Sequence, residues 1–143
     1  MQPVKTEKMT EKTASRELDA MTAEVATNFK RGTTEMLLLS LLTVREYYVY
    51  ELSKALREIS KGLFDLQGPS FYTTLYRLQD KGLVSCRTET VGRRTRVYYR
   101  VLPKGGEYLK RIIALYRQTS EGVERVLSET GQLPKTDPPG SDQ

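Results

Sequence analysis

The sequence predicts a mainly α-helical protein that carries one small β-hairpin. The first observation is that apolar residues recur every three or four positions along several segments, which is the spacing of one helix face. The second is a pair of segments, 83–89 and 95–101, that are separated by a glycine-containing turn and alternate in the manner of paired strands. The third is that this hairpin is rich in arginine, whereas the chain outside residues 67–100 is neutral.

A helix is predicted directly before the hairpin, over residues 69–82. A helix able to lie in a DNA groove, beside a basic hairpin able to grip phosphates, is the layout of a winged helix-turn-helix. Residues 67–100 hold seven basic and two acidic residues, so this segment carries the whole net charge of +5. Positive charge that is concentrated on one element is typical of a surface that binds nucleic acid. The alternative is a solvated hairpin that happens to be rich in arginine.

The composition argues against several other classes of function. A chain of 143 residues allows one compact domain with extensions. It has no His and a single Cys, which excludes the commonest zinc sites and histidine-based catalysis, and its carboxylates do not cluster as a paired acid and base. We therefore expect neither an enzyme nor a metal or other cofactor. No apolar run could span a membrane and the polar N-terminus lacks a signal-peptide core, so we expect a cytoplasmic protein.

The N-terminal part is expected to hold an arm and a helix. Residues 1–14 are polar and low in apolar content, which favours a disordered arm. From Ser15, a candidate N-cap, an apolar stripe predicts a helix over residues 15–30 that ends before Gly32. The stripe consists of Leu18, Met21, Val25 and Phe29.

Two further helices precede the helix and hairpin described above. The first begins at Thr33 or Thr34, runs through Val44 and is apolar on most sides, which places it at the centre of a core. The second, over residues 49–59, has apolar residues on one face and charged residues opposite, as in a half-buried helix. Together with the hairpin they predict a winged helix-turn-helix DNA-binding domain over residues 31–103.

Candidate DNA contacts lie first on the helix over residues 69–82. By the 3.6-residue period, the side of this helix opposite its apolar face points outward. Ser70, Thr73 and Arg77 fall on the outward side and are expected near base edges or the adjoining backbone. Arg77 could bridge the two acceptors of a guanine or serve phosphates alone. Tyr72, at the start and edge of the helix, suits a phosphate contact through its hydroxyl.

The hairpin is expected to have one apolar face and one basic face, because alternate residues of a strand point to opposite sides. Its arginines Arg93, Arg94 and Arg96 are candidates to hold phosphates or to enter the minor groove. The apolar face should include Cys86, which has no second cysteine for an internal disulfide and would act as a small buried hydrophobe.

A last helix is predicted over residues 104–130, followed by a disordered tail over residues 131–143 with adjacent prolines. Apolar residues recur along this helix in a heptad-like seam. We expect the seam to form a homodimer about a two-fold axis, with the N-terminal stripe packed against it. The alternative is a helix folded back on its own core. The seam residues are Leu109, Ile112, Tyr116, Val123 and Val126.

Several short motifs, in a fixed order over about residues 30–117, together resemble the PadR family of bacterial transcriptional regulators. The chain departs from the family pattern at Tyr48-Val49, where His-Gly is usual, and at Gly68-Pro69, where the order is usually reversed. It also lacks Trp, so the tryptophan-lined drug pocket of some members is not carried over. The matching motifs are Arg31-Gly32, Tyr50-Glu51-Leu52, Gly62-Leu63-Phe64, Ser70-Phe71-Tyr72-Thr73-Thr74-Leu75-Tyr76-Arg77-Leu78, Lys81-Gly82-Leu83-Val84, Gly92-Arg93-Arg94, Tyr98-Tyr99-Arg100-Val101 and Lys104-Gly105.

The resemblance implies a homodimeric winged-helix repressor that binds an inverted-repeat operator in double-stranded DNA and is released by a small aromatic or lipophilic ligand. We expect an effector pocket where the N-terminal and C-terminal helices meet, near the Tyr47–Tyr48 turn. The residues leave open a second function, a winged-helix module that binds RNA or another protein without responding to a ligand. Membrane binding is not expected, because the positive charge lies on a hairpin rather than on an amphipathic helix.

Overall fold

The computed structural model describes the backbone of residues 3–135 and the side chains of residues 10–135. Within that part of the chain, helices predominate and the strands form one small antiparallel sheet, so the predicted fold class is confirmed. In chain order the elements are α1 (Pro3–Arg31), α2 (Thr34–Val44), β1 (Tyr47–Tyr48), α3 (Val49–Ile59), α4 (Pro69–Asp80), β2 (Val84–Val91), β3 (Arg94–Val101) and α5 (Pro103–Glu129).

The core lies around α2, as the apolar character of this helix predicts. α2 packs against α3, α5 and β3, and it also contacts α1. Leu38 and Leu39 have no exposed surface. α4 contributes Phe71, Leu75 and Leu78 to the same core, so its predicted inward face is confirmed. Because burial of one large apolar side chain contributes about 1.5–3 kcal/mol, these three residues fix α4 firmly to the core.

The hairpin pairs β2 with β3 along the whole length of both strands and leaves a two-residue turn at Gly92-Arg93. The φ of Gly92 is 64°, a value that glycine adopts without strain. A positive φ at the first position of a two-residue turn fits type II′, whose twist matches that of the strands it joins. The local sequence therefore sets the register of the hairpin.

β1 is an element that the sequence did not predict. The Tyr47–Tyr48 segment, which we expected to be a turn, pairs as a short antiparallel strand with β3, with Tyr47 opposite Tyr99. The sheet order is β1-β3-β2, so β3 lies in the middle. Tyr47 and Tyr99 are both buried, and this pair ties the hairpin to the start of α3.

α5 begins with a close contact against the loop before the hairpin. Gly105 is buried, and a Cβ at this position would collide with the backbone carbonyl oxygen of Leu83. Further along, Leu109 lies in the core with 6% of its surface exposed, and Ile112 packs against the edge of the core. This corrects the prediction that Leu109 belongs to an intersubunit seam. Because the first turns of α5 cover α2, Leu109 closes the core of its own chain.

α1 departs furthest from the sequence prediction. It begins at Pro3, so the predicted disordered arm over residues 1–14 is wrong for residues 3–14, and Ser15 lies inside the helix instead of capping it. Proline is tolerated in the first turn of a helix, and residues 4–14 contain no further Pro or Gly but several good helix formers. Low apolar content limits what a segment can bury, but it does not prevent a helical backbone.

The end of the described chain has no helix or strand after Glu129, and Gly131 follows with a φ of 79°. Residues 136–143 of the predicted disordered tail lie outside the described residues. No helix between residues 3 and 135 is long and apolar enough to cross a membrane.

Candidate nucleic-acid interface

α4 presents a polar side to solvent beside the hairpin. Gly68, with a φ of 71°, turns the chain into the helix, and Pro69 occupies its first turn. Ser70 and Thr73 are exposed on the outer side, as predicted. The hydroxyl of Thr73 donates a 2.8 Å hydrogen bond to the carbonyl of Pro69, which leaves its oxygen lone pairs available to accept a bond from outside.

Arg77, the third predicted outward residue of α4, is held by the protein itself. Its Nε donates to Oε1 of Glu35 at 2.6 Å, and the Nζ of Lys81 lies 3.9 Å from the same oxygen. Glu35 sits in the first turn of α2 with only 15% of its side chain exposed. This pair could not be predicted from local sequence patterns, because Glu35 and Arg77 are 42 residues apart.

A groove lies between α4 and the sheet, with a volume of about 840 Å³. Tyr72 and Tyr76 form its α4 side, with ring centroids 6.3 Å apart and roughly half of each side chain exposed. Tyr48 of β1 and Tyr50 of α3 also line the groove, with ring centroids 6.2 Å apart. This groove shares Tyr48 with the place where we expected an effector pocket, but its walls come from α4 and the hairpin.

Cys86 also lines the groove and is exposed, contrary to the prediction that it is buried. Its Sγ accepts a 3.4 Å hydrogen bond from Nε2 of Gln79 on α4. Val84, two residues earlier on the same face of the strand, is buried. This face of β2 is therefore buried at the base of the hairpin and exposed from Cys86 onwards.

The tip of the hairpin carries three arginines, Arg93, Arg94 and Arg96, which we call the tip arginines. Among the described residues, none of the three forms an ion pair with a carboxylate. The guanidinium carbon of Arg96 lies 4.7 Å from the centroid of the Tyr48 ring, an arrangement that orients the cation without neutralising it. A hydrogen bond with Tyr98 raises the pKa of Arg96 above its ordinary value.

Arg87, at the middle of β2, is neutralised instead. It donates to both carboxylate oxygens of Glu46, at 2.7 and 2.9 Å, and to Glu89 at 3.0 Å. The hydrogen bonds from Arg87 are the main reason that the pKa of Glu46 lies below its usual value. The hairpin therefore has a neutralised middle and a cationic tip.

A second surface is apolar and lies on the two long helices. On α5, Tyr116, Val123 and Val126 from the predicted seam expose 51%, 53% and 63% of their surface. The predicted stripe on α1 is likewise exposed, with 75% of Phe29 accessible. Ile112 is only partly accessible, because it packs against the edge of the core. The chain alone thus leaves an apolar face uncovered on each of these helices.

The comparison with known proteins points to one family. The model of the transcriptional regulator PadR-like family matches residues 38–111, which is half of the chain and includes α4 and the hairpin. The crystal structure of a PadR family transcriptional regulator from Eggerthella lenta is 27% identical, with a TM-score of 0.72 over 78% of this chain and 96% of that one. A transcriptional regulator from Clostridium thermocellum is 26% identical, with a TM-score of 0.65 over 68% and 96% of the two chains.

A further solved structure is Bacillus subtilis PadR in complex with operator DNA. It is 21% identical, with a TM-score of 0.53 over 57% of this chain and 47% of that one, and a likeness at this level shows a shared fold. Among curated proteins, none matches the sequence.

Proposed function

Because the chain belongs to the PadR-like family of transcriptional regulators, we propose that it is a repressor that binds an inverted-repeat operator as a homodimer and is released by a small ligand. The observation that carries the proposal is the cationic hairpin tip beside the exposed outer side of α4. A winged helix binds duplex DNA with a helix that fits the major groove and with basic side chains on the adjacent hairpin, and this chain has both. The structure of Bacillus subtilis PadR with operator DNA supports the same choice of partner.

In the proposed complex, α4 lies in the major groove and the hairpin lies over the neighbouring backbone. Ser70 and Thr73 would approach base edges, where a hydroxyl can donate to or accept from several bases. Tyr72 would reach a phosphate through its hydroxyl. The tip arginines would hold phosphates or enter the minor groove, which positions the protein on the DNA without specifying sequence.

Dimerisation is proposed from the uncovered apolar faces of α1 and α5. A long helix with one apolar stripe gains most of its stability from packing that stripe against a partner. The stripe on α1 lacks such a cover within this chain, and so does the seam of Tyr116, Val123 and Val126. A two-fold axis that brings these faces of two chains together would bury both, and it would set two α4 helices about 34–36 Å apart, one turn of DNA.

Ligand release is proposed to act through the groove between α4 and the hairpin. Its volume of about 840 Å³ suits a small molecule, and its tyrosine walls suit an aromatic or lipophilic one. Tyr72 and Arg94 line the groove and are also proposed DNA contacts. A molecule bound there would therefore compete with DNA directly. Displacement of a labelled operator by planar aromatic compounds, lost in Tyr76→Ala, is the expected result.

Selection of bound sequences from random duplex DNA tests the proposal as a whole. Recovery of an inverted repeat with half-sites one DNA turn apart is expected. Enrichment from a random RNA pool, with no motif from the duplex pool, would favour the second candidate function, a winged-helix module that binds RNA. Failure with both pools would favour a protein-binding module.

A further inference from the structure

The contact between Glu35 and Arg77 joins the start of α2 to the last turn of α4. The Nε to Oε1 distance of 2.6 Å is that of a short, charge-assisted hydrogen bond. Lys81 approaches the same oxygen at 3.9 Å, and the hydroxyl of Tyr108 on α5 lies 3.5 Å from Oε2. The carboxylate of Glu35 therefore lies close to both cations at the C-terminal end of α4, Arg77 and Lys81, and it also contacts α5.

We propose that Glu35 keeps Arg77 out of the DNA interface, so that Arg77 positions α4 and does not read a base or hold a phosphate. This inference rests on the proposed function and specifies how its DNA-binding face is built. It assigns a role in DNA selectivity to Glu35, a residue that lies outside the helix-hairpin unit.

Burial makes the contact hard to exchange for a phosphate. Glu35 exposes 15% of its side chain, so removal of Arg77 would leave a largely buried carboxylate with a single, more distant cation. Leaving such a charge without its partner is costly, because water replaces the lost bond only partly. Among the described residues, no carboxylate pairs with Arg93 or Arg94, so phosphates would recruit these two first.

The pairing also limits binding to random DNA. Every cation that reaches a phosphate releases counterions and strengthens binding to any sequence alike. By holding Arg77, Glu35 removes one such cation from the outer side of α4. The neutral Ser70 and Thr73 then lie in the major groove without a nearby flexible cation that could bind the backbone in any register.

The test is a salt series of fluorescence anisotropy titrations with a random-sequence duplex. Arg77→Ala should leave the slope of log affinity against log salt unchanged. Glu35→Gln, which keeps the shape of the side chain, should steepen the slope by about 1.8 and tighten binding roughly thirtyfold at 0.15 M salt, as expected for one new phosphate contact in each subunit of the proposed dimer. The double variant Glu35→Gln with Arg77→Ala should return to the slope of the wild type.

Glu107→Gln is the matched control, because it removes the same charge from an exposed site on α5 and frees no cation of α4. Its slope should equal that of the wild type, and thermal melting should show that all variants fold. A slope reduced by about 1.8 in Arg77→Ala would overturn the inference alone, since Arg77 of each subunit would then be bound to phosphate. An unchanged slope in Glu35→Gln would also overturn it. A wild type that binds no duplex would overturn the proposed function together with the inference.

Discussion

Replacement of both Val123 and Val126 by aspartate should separate the proposed dimer without unfolding the chain. Each valine exposes more than half of its surface in the single chain, so neither substitution places a charge in the core. Ile112 is a poorer target, although it belongs to the same predicted seam. It packs against the core of its own chain, and a charge there would destabilise the fold as well as the dimer.

The magnitude follows from the exposed fractions of 53% and 63%. Complete burial of a valine contributes about 1.5–3 kcal/mol, so the part that a partner would cover contributes roughly 1 kcal/mol for each valine. A symmetric dimer contains two copies of each, so the loss is roughly 4 kcal/mol, or about a thousandfold in Kd. Desolvation of the new carboxylates adds to this loss.

Sedimentation velocity over nanomolar to micromolar concentrations would measure the effect. The wild type should sediment as a dimer and the double variant as a monomer, with equal helical content by circular dichroism. Gln118→Asp adds a charge to an exposed position on another side of α5 and should leave the dimer intact. A double variant that dimerises as tightly as the wild type, or a wild type that is monomeric at micromolar concentration, would refute the argument.

Three further outcomes are expected. Arg94→Ala should lower the salt slope by about 1.8 on specific and random duplexes alike, one phosphate contact being lost in each subunit, and an unchanged slope in the anisotropy titrations would show that Arg94 does not contact DNA. Tyr72→Phe should weaken operator binding without changing the selected sequence, whereas unaltered affinity would leave Tyr72 a residue of the groove only. Gly105→Ala should reduce the free energy of unfolding in urea by about 1–3 kcal/mol through the collision with Leu83. Gly106→Ala is its control, because a Cβ there meets nothing within 4 Å, and an equal effect of both substitutions would count against the close contact.

The elements with strong local signals were predicted closely. α2 and α3 begin and end within a residue of the expected positions, because an apolar period of 3.6 residues and clear breaks on either side define them. The hairpin followed from its alternation and from Gly92. These features depend on neighbours in the sequence, so no knowledge of the tertiary structure was needed.

The missed features depend on partners far along the chain. β1 is only two residues long, and its strand character comes from pairing with β3 some 50 residues later. The exposure of Cys86 depends on how α4 packs against the hairpin, because α4 contacts Cys86 only through the polar side chain of Gln79 among the hydrogen bonds of the described residues. The role of Leu109 depends on the fact that α5 crosses α2, which a heptad pattern alone does not distinguish from a seam between two chains.

The net charge of a sequence segment also differs from the charge that is free to bind DNA in the folded protein. Residues 67–100 carry the whole net charge of +5, but Arg77 and Arg87 are paired with Glu35 and Glu46, which lie outside that segment. The tip arginines then make up most of the footprint. At about 0.9 per phosphate, three contacts in each subunit give a dimer a salt slope of roughly 5. A measured slope near 9 would mean that Arg77 and Arg87 exchange their carboxylate partners for phosphates when the protein binds DNA. The salt dependence of the wild type alone therefore shows whether these two paired arginines contribute to DNA binding.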